Sequence, residues 1–135
     1  MEKINGLSIT EKLKSRKEID ALFAQRNTFF AAPVRVFYSI ENNLESEVKA
    51  GFGCSKKYFK HAVKRNRTKR LMREAYRTQK HALHTLALQR HIVIHLFFLF
   101  SSNELITYKE MQSAIFTILR KLEQVITKHP EQNSY

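Results

Sequence analysis

The segment AVKRNRTKRLMREAYR, residues 62–77, has the pattern of an amphipathic helix with a strongly basic exposed face. At about 100° per residue, Thr68, Leu71, Met72 and Ala75 fall on one arc and the basic side chains fall on the opposite arc. Like charges three or four residues apart repel, at a cost of about 0.2–0.5 kcal/mol per pair on an isolated helix. The segment therefore predicts a helix that packs on one side and needs an anionic partner on the other.

The same two arcs continue toward the C-terminus. Gln79, Ala82 and Leu83 extend the packing arc, and Lys80 extends the cationic arc, which predicts one helix through this region. Tyr76 lies at the boundary between the arcs. We expect its ring to pack and its hydroxyl to stay in solvent.

The positive charge of the chain is concentrated in this region. The formal net charge is +12, and residues 56–80 hold eleven Lys or Arg against one acid, Glu74. The other 110 residues hold thirteen bases and eleven acids, so they are nearly neutral. A concentrated basic block is typical of a protein that binds a polyanion. Nucleic acid is the leading partner class, and a solvated charged helix face is the alternative.

Two capping boxes predict where other helices begin. Ser15-Arg-Lys-Glu18 predicts a short helix over residues 16–25. Thr107-Tyr-Lys-Glu110 precedes a long apolar stripe, which predicts the last helix. Pro33 is expected to end any helix before it.

Alternating apolar residues predict strands. Residues 34–39 and 49–55 have the period of half-buried strands, and the second face of the latter is small because it carries Gly51, Gly53 and Ser55. The run IVIHLFFLF, residues 92–100, is about half the length of a membrane span and predicts a buried strand.

The length of 135 residues suits one hydrophobic core. We expect residues 1–127 to form a single RNA-binding domain and residues 128–135 to form a disordered tail. The N-terminus lacks the pattern of a signal peptide and the lone Cys54 cannot form an internal disulfide, so a cytoplasmic location is expected. Cys54 itself is expected to be a small buried hydrophobic residue.

The residues that a self-sufficient nuclease needs are sparse. Two-metal cleavage uses clustered carboxylates, yet the chain has one aspartate, Asp20, and Glu74 is interpreted as a salt-bridge partner of neighbouring arginines. The histidines offer no recognisable acid–base pair, and His91 and His95 on one strand would lie about 13 Å apart. We therefore predict no catalytic residue and no metal site in the protein alone.

Ser55-Lys56-Lys57 followed by AVKRNRTKRLMRE, residues 62–74, resembles the signature of the bacterial ribonuclease P protein subunit family, with its Arg-Asn-Arg core. The wider pattern fits the same family over most of the chain, at Leu13, Phe23, Gly51, the strand at Ile92 and the helix after Tyr108. The resemblance implies the protein subunit of an endoribonuclease whose catalytic centre lies in its RNA component.

That resemblance implies specific partners. The chain would bind the ribonuclease P catalytic RNA and the 5′ leader of precursor tRNA, and would promote magnesium-dependent endonucleolytic removal of the leader. The Mg²⁺ would be bound mainly by the RNA, and neither a membrane nor a small-molecule substrate is expected. A noncatalytic RNA-binding protein, of the ribosomal or RNA-chaperone type, is the alternative, and it needs no leader-binding cleft.

Two sets of site residues follow. The predicted RNA-binding residues are Lys56, Lys57, Lys60, Lys64, Arg65, Asn66, Arg67, Lys69, Arg70, Arg73 and Arg77. By the resemblance, a cleft between the first helix and the sheet binds the leader, and its positions here are Ile19, Phe23, Phe37, Gly53, Ser55 and Lys56. Ordinary core packing is the alternative for the two phenylalanines.

The resemblance also implies the fold. It is a small α/β sandwich of two layers, an α+β fold in the order αβββαβα that is ribosomal protein S5 domain 2-like, with a left-handed βαβ crossover against the usual right-handed rule. A short third strand is expected within residues 34–57. Two positions depart from the family pattern. Ile19 stands where an aromatic is usual, so only apolar contact is expected there, and Phe59 stands where glycine is usual, so the resemblance does not define the shape of that loop.

Overall fold

The computed structural model describes residues 12, 13, 15–55, 57 and 59–128. In chain order, the helices and strands of this part are α1 (Arg16–Gln25), β1 (Thr28–Ala31), β2 (Val34–Asn42), β3 (Glu47–Cys54), α2 (Ala62–Arg77), α3 (His81–Arg90), β4 (Ile92–Phe100) and α4 (Tyr108–Lys128). The strands form one sheet in the order β1-β2-β4-β3, in which β3 and β4 are parallel and the other pairs are antiparallel. The fold is mixed α+β, as predicted.

The two faces of the sheet have different covers. Alternate residues of β2 and β4, such as Val36, Leu96 and Phe98, are fully buried against α2, α3 and α4. The opposite face carries the other alternate residues, and α1 lies across it against β2 and β4. The main core therefore lies between the sheet and α2, α3 and α4, and α1 leaves room for a cleft on the second face.

The parallel pair β3 and β4 is connected through α2 and α3, which both contact these strands. The connection is the βαβ crossover that the resemblance implies, and its left-handed sense stays a prediction. It places α2 directly after the loop that follows β3. The basic helix is thus the first element that the chain forms after leaving the sheet.

One continuous helix from Ala62 to Leu83 was expected, and this prediction is wrong. The Thr78 hydroxyl donates to the carbonyls of Glu74 and Ala75, and the Gln79 amide donates to Ala75 O at 3.0 Å. These side chains take the last carbonyls of α2, which competes with continuation of the helix. Lys80 consequently leaves the cationic face and is only 4% exposed.

The short additional strand also lies elsewhere than predicted. It is β1, residues 28–31, which precedes Pro33 and pairs antiparallel with β2. Pro33 therefore lies in a hairpin turn between two strands, after a cis peptide bond. β1 has four residues at the edge of the sheet, so its burial does not alternate clearly and its sequence carries little strand signal.

Both capping boxes mark helix starts, as predicted. The Ser15 hydroxyl accepts from Glu18 N at 3.3 Å at the start of α1. At the start of α4, Thr107 Oγ1 accepts from Glu110 N at 3.1 Å, and Glu110 Oε1 accepts from Thr107 N at 2.9 Å. Lys128 is the last residue of α4, and the rest of the expected tail, residues 129–135, lies outside the described residues.

Three smaller expectations need correction. The Tyr76 hydroxyl is not in solvent, because the residue is buried and its hydroxyl is hydrogen-bonded to His84 Nε2 at 3.1 Å. His91 does not lie in a strand; it ends α3 with a φ of 54°. Cys54 is half-buried rather than buried.

None of the helices in the described part of the chain is long and apolar enough to cross a membrane.

Candidate nucleic-acid interface

The exposed side of α2 is the first component of the site. Val63, Asn66, Arg67, Lys69, Arg70 and Arg73 line a shallow depression of ≈ 560 Å³. On the opposite side of the helix, Thr68, Met72, Ala75 and Tyr76 are buried in the core. Because the buried side fixes the rotation of the helix, the predicted RNA-binding residues of its middle turns share one surface.

Arg65 is held differently from its neighbours. Its Nη1 donates to Phe59 O at 2.8 Å and to Lys60 O at 2.7 Å, so its guanidinium ties the first turn of α2 to the preceding loop. A guanidinium has five N–H donors, and these two bonds leave others for phosphate oxygens. Arg65 thus has a structural role in addition to its predicted one.

Phe59 anchors the same loop from inside. It is 4% exposed, and its ring stacks on Phe100 with centroids 5.9 Å apart and an interplanar angle of 17°. The position at which the resemblance predicts glycine is therefore used here as a hydrophobic anchor. The loop between β3 and α2 is held by Phe59 in the core and by Arg65 at its surface.

Arg77 is paired within the protein. Its Nε donates to Glu74 Oε2 at 3.1 Å and its Nη2 donates to Glu74 Oε1, which confirms the interpretation of Glu74 as an intrahelical salt-bridge partner. Hydrogen bonding from Arg77 lowers the pKa of the Glu74 carboxyl below its ordinary value. Arg73 lies over Phe52, with its Cζ 5.8 Å from the ring centroid.

The remaining predicted cations surround the start of α2. Lys57, Lys60 and Lys64 are exposed, and Lys57 N donates to Ser55 Oγ at 3.1 Å. Lys56, which was assigned to both predicted sets, lies outside the described residues. Cys54 lies beneath this region. Burial raises the pKa of its thiol, and the nearby charges of Arg65 and Lys69 partly oppose that shift.

The second component is an aromatic cleft between α1 and the sheet. The Phe23 ring lies 4.6 Å from the Phe37 ring and 5.3 Å from the Phe97 ring, measured between centroids. Phe23 is nevertheless 37% exposed, so its ring lines the cleft and still faces solvent. Ile19 is half-buried on the same helix. Phe23 and Phe37 thus pack against each other while Phe23 keeps a surface for a ligand.

Phe97 was not predicted as a site residue. A Cβ on Gly51 would lie 2.8 Å from Phe97 Cδ2, and one on Gly53 would lie 2.7 Å from Phe97 Cζ. The small strand face predicted for residues 49–55 is therefore occupied by the Phe97 ring. A phenylalanine in the buried strand and two glycines spaced by two were visible in the sequence, but their pairing requires the register of β3 with β4.

These two components are adjacent along the chain. β3 carries Gly53 at the cleft, Ser55 follows it half-buried, and the loop then leads directly into α2. Among the described residues, no three His, Cys, Asp or Glu side chains converge on a possible metal site.

Comparison with known proteins gives a consistent family. A family model for ribonuclease P matches residues 7–123. The ribonuclease P protein component of Porphyromonas gingivalis is 39% identical over 115 residues, which cover 82% of this chain and 81% of that protein. The corresponding protein of Chlorobium phaeobacteroides is 40% identical over 87 residues, covering 62% of this chain and 60% of that protein. The structure of the Staphylococcus aureus RNase P protein matches with a TM-score of 0.64 at 17% identity, covering 84% of this chain and 95% of that chain.

Fold and charge distribution define a small α+β protein built around an exposed cationic helix beside an aromatic cleft. With the match over residues 7–123 added, the chain belongs to the ribonuclease P protein component family. Its general role is in tRNA processing, as the protein part of a ribonucleoprotein.

Substitution of Gly53 tests the packing of the cleft. We expect Gly53→Ala to lower the free energy of unfolding by about 1–3 kcal/mol, because the new Cβ overlaps the Phe97 ring. The double variant Gly53→Ala/Phe97→Leu should recover part of this loss, measured by urea unfolding. If the double variant loses as much stability as Gly53→Ala and Phe97→Leu lose in sum, the proposed overlap is contradicted.

The pairing of Glu74 with Arg77 predicts a pH-dependent contribution to stability. The pKa of Glu74 is lowered in the folded state, so the pair stabilises the fold above the unfolded-state pKa and this contribution is lost as pH falls through the folded-state pKa. We expect Glu74→Gln to be slightly less stable than the parent at neutral pH and equally stable in acid. Urea unfolding at both pH values checks this, with the exposed Glu104→Gln as control. A difference that persists in acid would contradict the assignment.

Proposed function

We propose that this chain binds the ribonuclease P catalytic RNA and the 5′ leader of precursor tRNA, and so promotes magnesium-dependent removal of the leader in the cytoplasm. The observation that carries the proposal is the exposed stripe of α2, in which Asn66, Arg67, Arg70 and Arg73 line one depression. The opposite side of this helix is packed in the core, so the cations are positioned before RNA arrives and less ordering is required on binding.

The chemistry of α2 suits a folded RNA. Arginine forks can contact two phosphate oxygens at once, and Asn66 can both donate and accept hydrogen bonds. A folded RNA brings phosphates close together, which matches a stripe of closely spaced cations better than a single extended strand does. If six cations contact phosphates, log K should fall with log salt with a slope of roughly 4 to 5 in magnitude.

The cleft suits the single-stranded leader. Aromatic faces stack on unpaired bases without demanding a particular sequence, because every base has a π face. Phe23 offers such a face, and Phe37 and Phe97 support it from the sheet. Ser55 and Lys57 lie where the cleft meets the loop to α2, so a strand leaving the cleft would arrive at the cationic helix.

We assign the magnesium ions to the RNA. Glu74 is the one carboxylate of α2, and it is hydrogen-bonded to Arg77, so the cationic face offers no free carboxylate ligand. Magnesium prefers oxygen ligands and would supply charge stabilisation and an activated water there. The part played by this chain is to hold phosphates and position the leader.

The decisive experiment is cleavage of precursor tRNA at low magnesium by the catalytic RNA of the same organism, with and without this protein. We expect the protein to restore correct 5′ maturation and to cleave nothing alone. A series of substrates with increasing leader length should bind the holoenzyme more tightly as the leader grows. RNA binding without any effect on cleavage or any leader-length dependence would overturn the proposal in favour of a noncatalytic RNA-binding protein.

A further inference from the structure

A cation–aromatic pair lies beyond the cleft, on the same face of the sheet. Phe30 of β1 is 44% exposed, and the Arg35 Cζ of β2 lies 4.9 Å from its ring centroid. Arg35 Nη1 is also within 3.4 Å of Thr28 Oγ1, to which it donates. Phe116 and Arg120 of α4 form another exposed pair of this kind, but α4 packs on the other side of the sheet, so the Phe30–Arg35 pair is the one beside the cleft.

Strand register connects this pair to the cleft. Phe30 pairs with Arg35, Arg35 with Leu99, and Leu99 with Gly53, so these four residues form one row across all four strands. With strands about 4.8 Å apart, the row spans roughly 14 Å. The next row on the same face, two residues along each strand, contains Phe37 and Phe97, which form the floor of the cleft. The surface is therefore continuous from Gly53 to the β1 edge.

The opposite end of this face has the opposite charge. Glu41 and Glu47 both pair with Val93, and Glu47 Oε2 is bonded to His95 Nε2 at 2.8 Å. Glu18 of α1 joins Glu41 and His95 around a small pocket of ≈ 130 Å³. Lys49 Nζ lies 3.9 Å from Glu47 Oε2 and offsets its charge, so Glu18 and Glu41 are the carboxylates that repel an anionic strand at this end, whereas Arg35 attracts it at the other end.

We propose that Phe30 and Arg35 form an additional nucleotide subsite for unpaired RNA at the β1 edge. The base stacks on the Phe30 ring or on the guanidinium plane, and Arg35 contacts the adjacent phosphate. The subsite extends the path of the leader across the sheet, away from the acidic end. This inference rests on the proposed function, because it assigns the outer part of the same leader.

The test measures binding of precursor tRNA by the holoenzyme over a series of leader lengths. With leaders long enough to reach the β1 edge, Arg35→Ala and Phe30→Ala should each weaken binding about 5- to 10-fold, the effect of losing roughly one stacked base. With short leaders, both variants should equal the parent. Arg35→Ala should also reduce the salt slope by about 0.7 for long leaders alone, the share of one single-strand phosphate.

Matched variants keep the test independent of folding. Phe30→Leu keeps apolar contact and Arg35→Lys keeps the charge, but both remove stacking. As a control, Lys109→Ala removes an exposed cation from α4, on the other side of the sheet. The conservative variants should lose part of the long-leader affinity, and Lys109→Ala should lose none. Equal losses for all leader lengths, or no loss for any, would overturn the subsite while the leader dependence of the parent stands. If the parent itself shows no leader dependence, both the subsite and the proposed function are wrong.

Discussion

Replacing Arg67 and Arg70 by glutamate is expected to weaken binding to the ribonuclease P catalytic RNA by at least about 100-fold. Both side chains are exposed on the depression of α2. A hydrogen bond to a charged group contributes roughly 1.5–3 kcal/mol, so losing two phosphate contacts costs about 3 kcal/mol before the added repulsion is counted. Filter binding or fluorescence anisotropy at moderate salt measures the loss.

A control of equal charge separates local contact from general attraction. Arg120→Glu/Lys128→Glu changes the net charge by the same amount on the C-terminal half of α4, whereas Tyr108 and Gln112 near its start contact Thr78 and Gln79 at the end of α2. We expect a small loss for this pair, confined to low salt, because distant exposed charges are screened over about 8 Å at physiological ionic strength. Equal losses for the two double variants would show that RNA responds only to total charge and not to the stripe on α2.

Replacing Phe59 by alanine is expected to lower the free energy of unfolding by about 3–5 kcal/mol. The ring is buried against Phe100, and truncation of a buried phenylalanine removes its transfer free energy and leaves a cavity. The loss is large for a domain whose total stability is typically about 5–15 kcal/mol. Urea unfolding followed by circular dichroism measures it.

A matched aromatic on the surface provides the reference. Phe116 of α4 is 51% exposed, so Phe116→Ala should change stability by no more than about 0.5 kcal/mol, apart from its contact with Arg120. Phe59→Leu should fall between the two because it refills part of the cavity. A loss below about 1 kcal/mol for Phe59→Ala would contradict the role of this residue as the anchor of the loop before α2.

The RNA affinity of the Phe59 variant carries separate information. Arg65 reaches back to the carbonyls of residues 59 and 60, so loosening the loop should also release the start of α2. We expect Phe59→Leu, the less destabilised of the two variants, to lose RNA affinity without losing any charge. Such a loss would show that RNA affinity depends on how the cations are positioned as well as on how many there are.

Local signals were sufficient wherever one element decides its own boundaries. The start of α1 follows from a serine that caps its first turn, and the cationic side of α2 follows from the 3.6-residue period. The helical period failed to predict where α2 ends, because side chains rather than the apolar pattern decide it. The end of α2 depends on side chains of Thr78 and Gln79, and Gln79 also donates to Gln112 O at 3.1 Å in α4.

The candidate site divides in the same way. The basic residues of α2 were predicted because their charges alternate with apolar neighbours within a few turns. Phe97 and the Phe30–Arg35 pair were not predicted because their positions at and beside the cleft follow from strand register. Phe97 in β4 and Gly53 in β3 are neighbours although two helices separate them in the chain. No local sequence pattern predicts that contact.

By itself, the sequence determined the family, the anionic character of the partner and the helix that presents the cations. These depend on residue identity and on periods of a few residues. Only the tertiary structure decided which aromatic fills the glycine face, which cations are held by internal partners, and where the sheet extends the cleft. Those features depend on contacts between residues far apart in the chain. Such contacts are set by packing of the whole core, which fixes register and side-chain direction together.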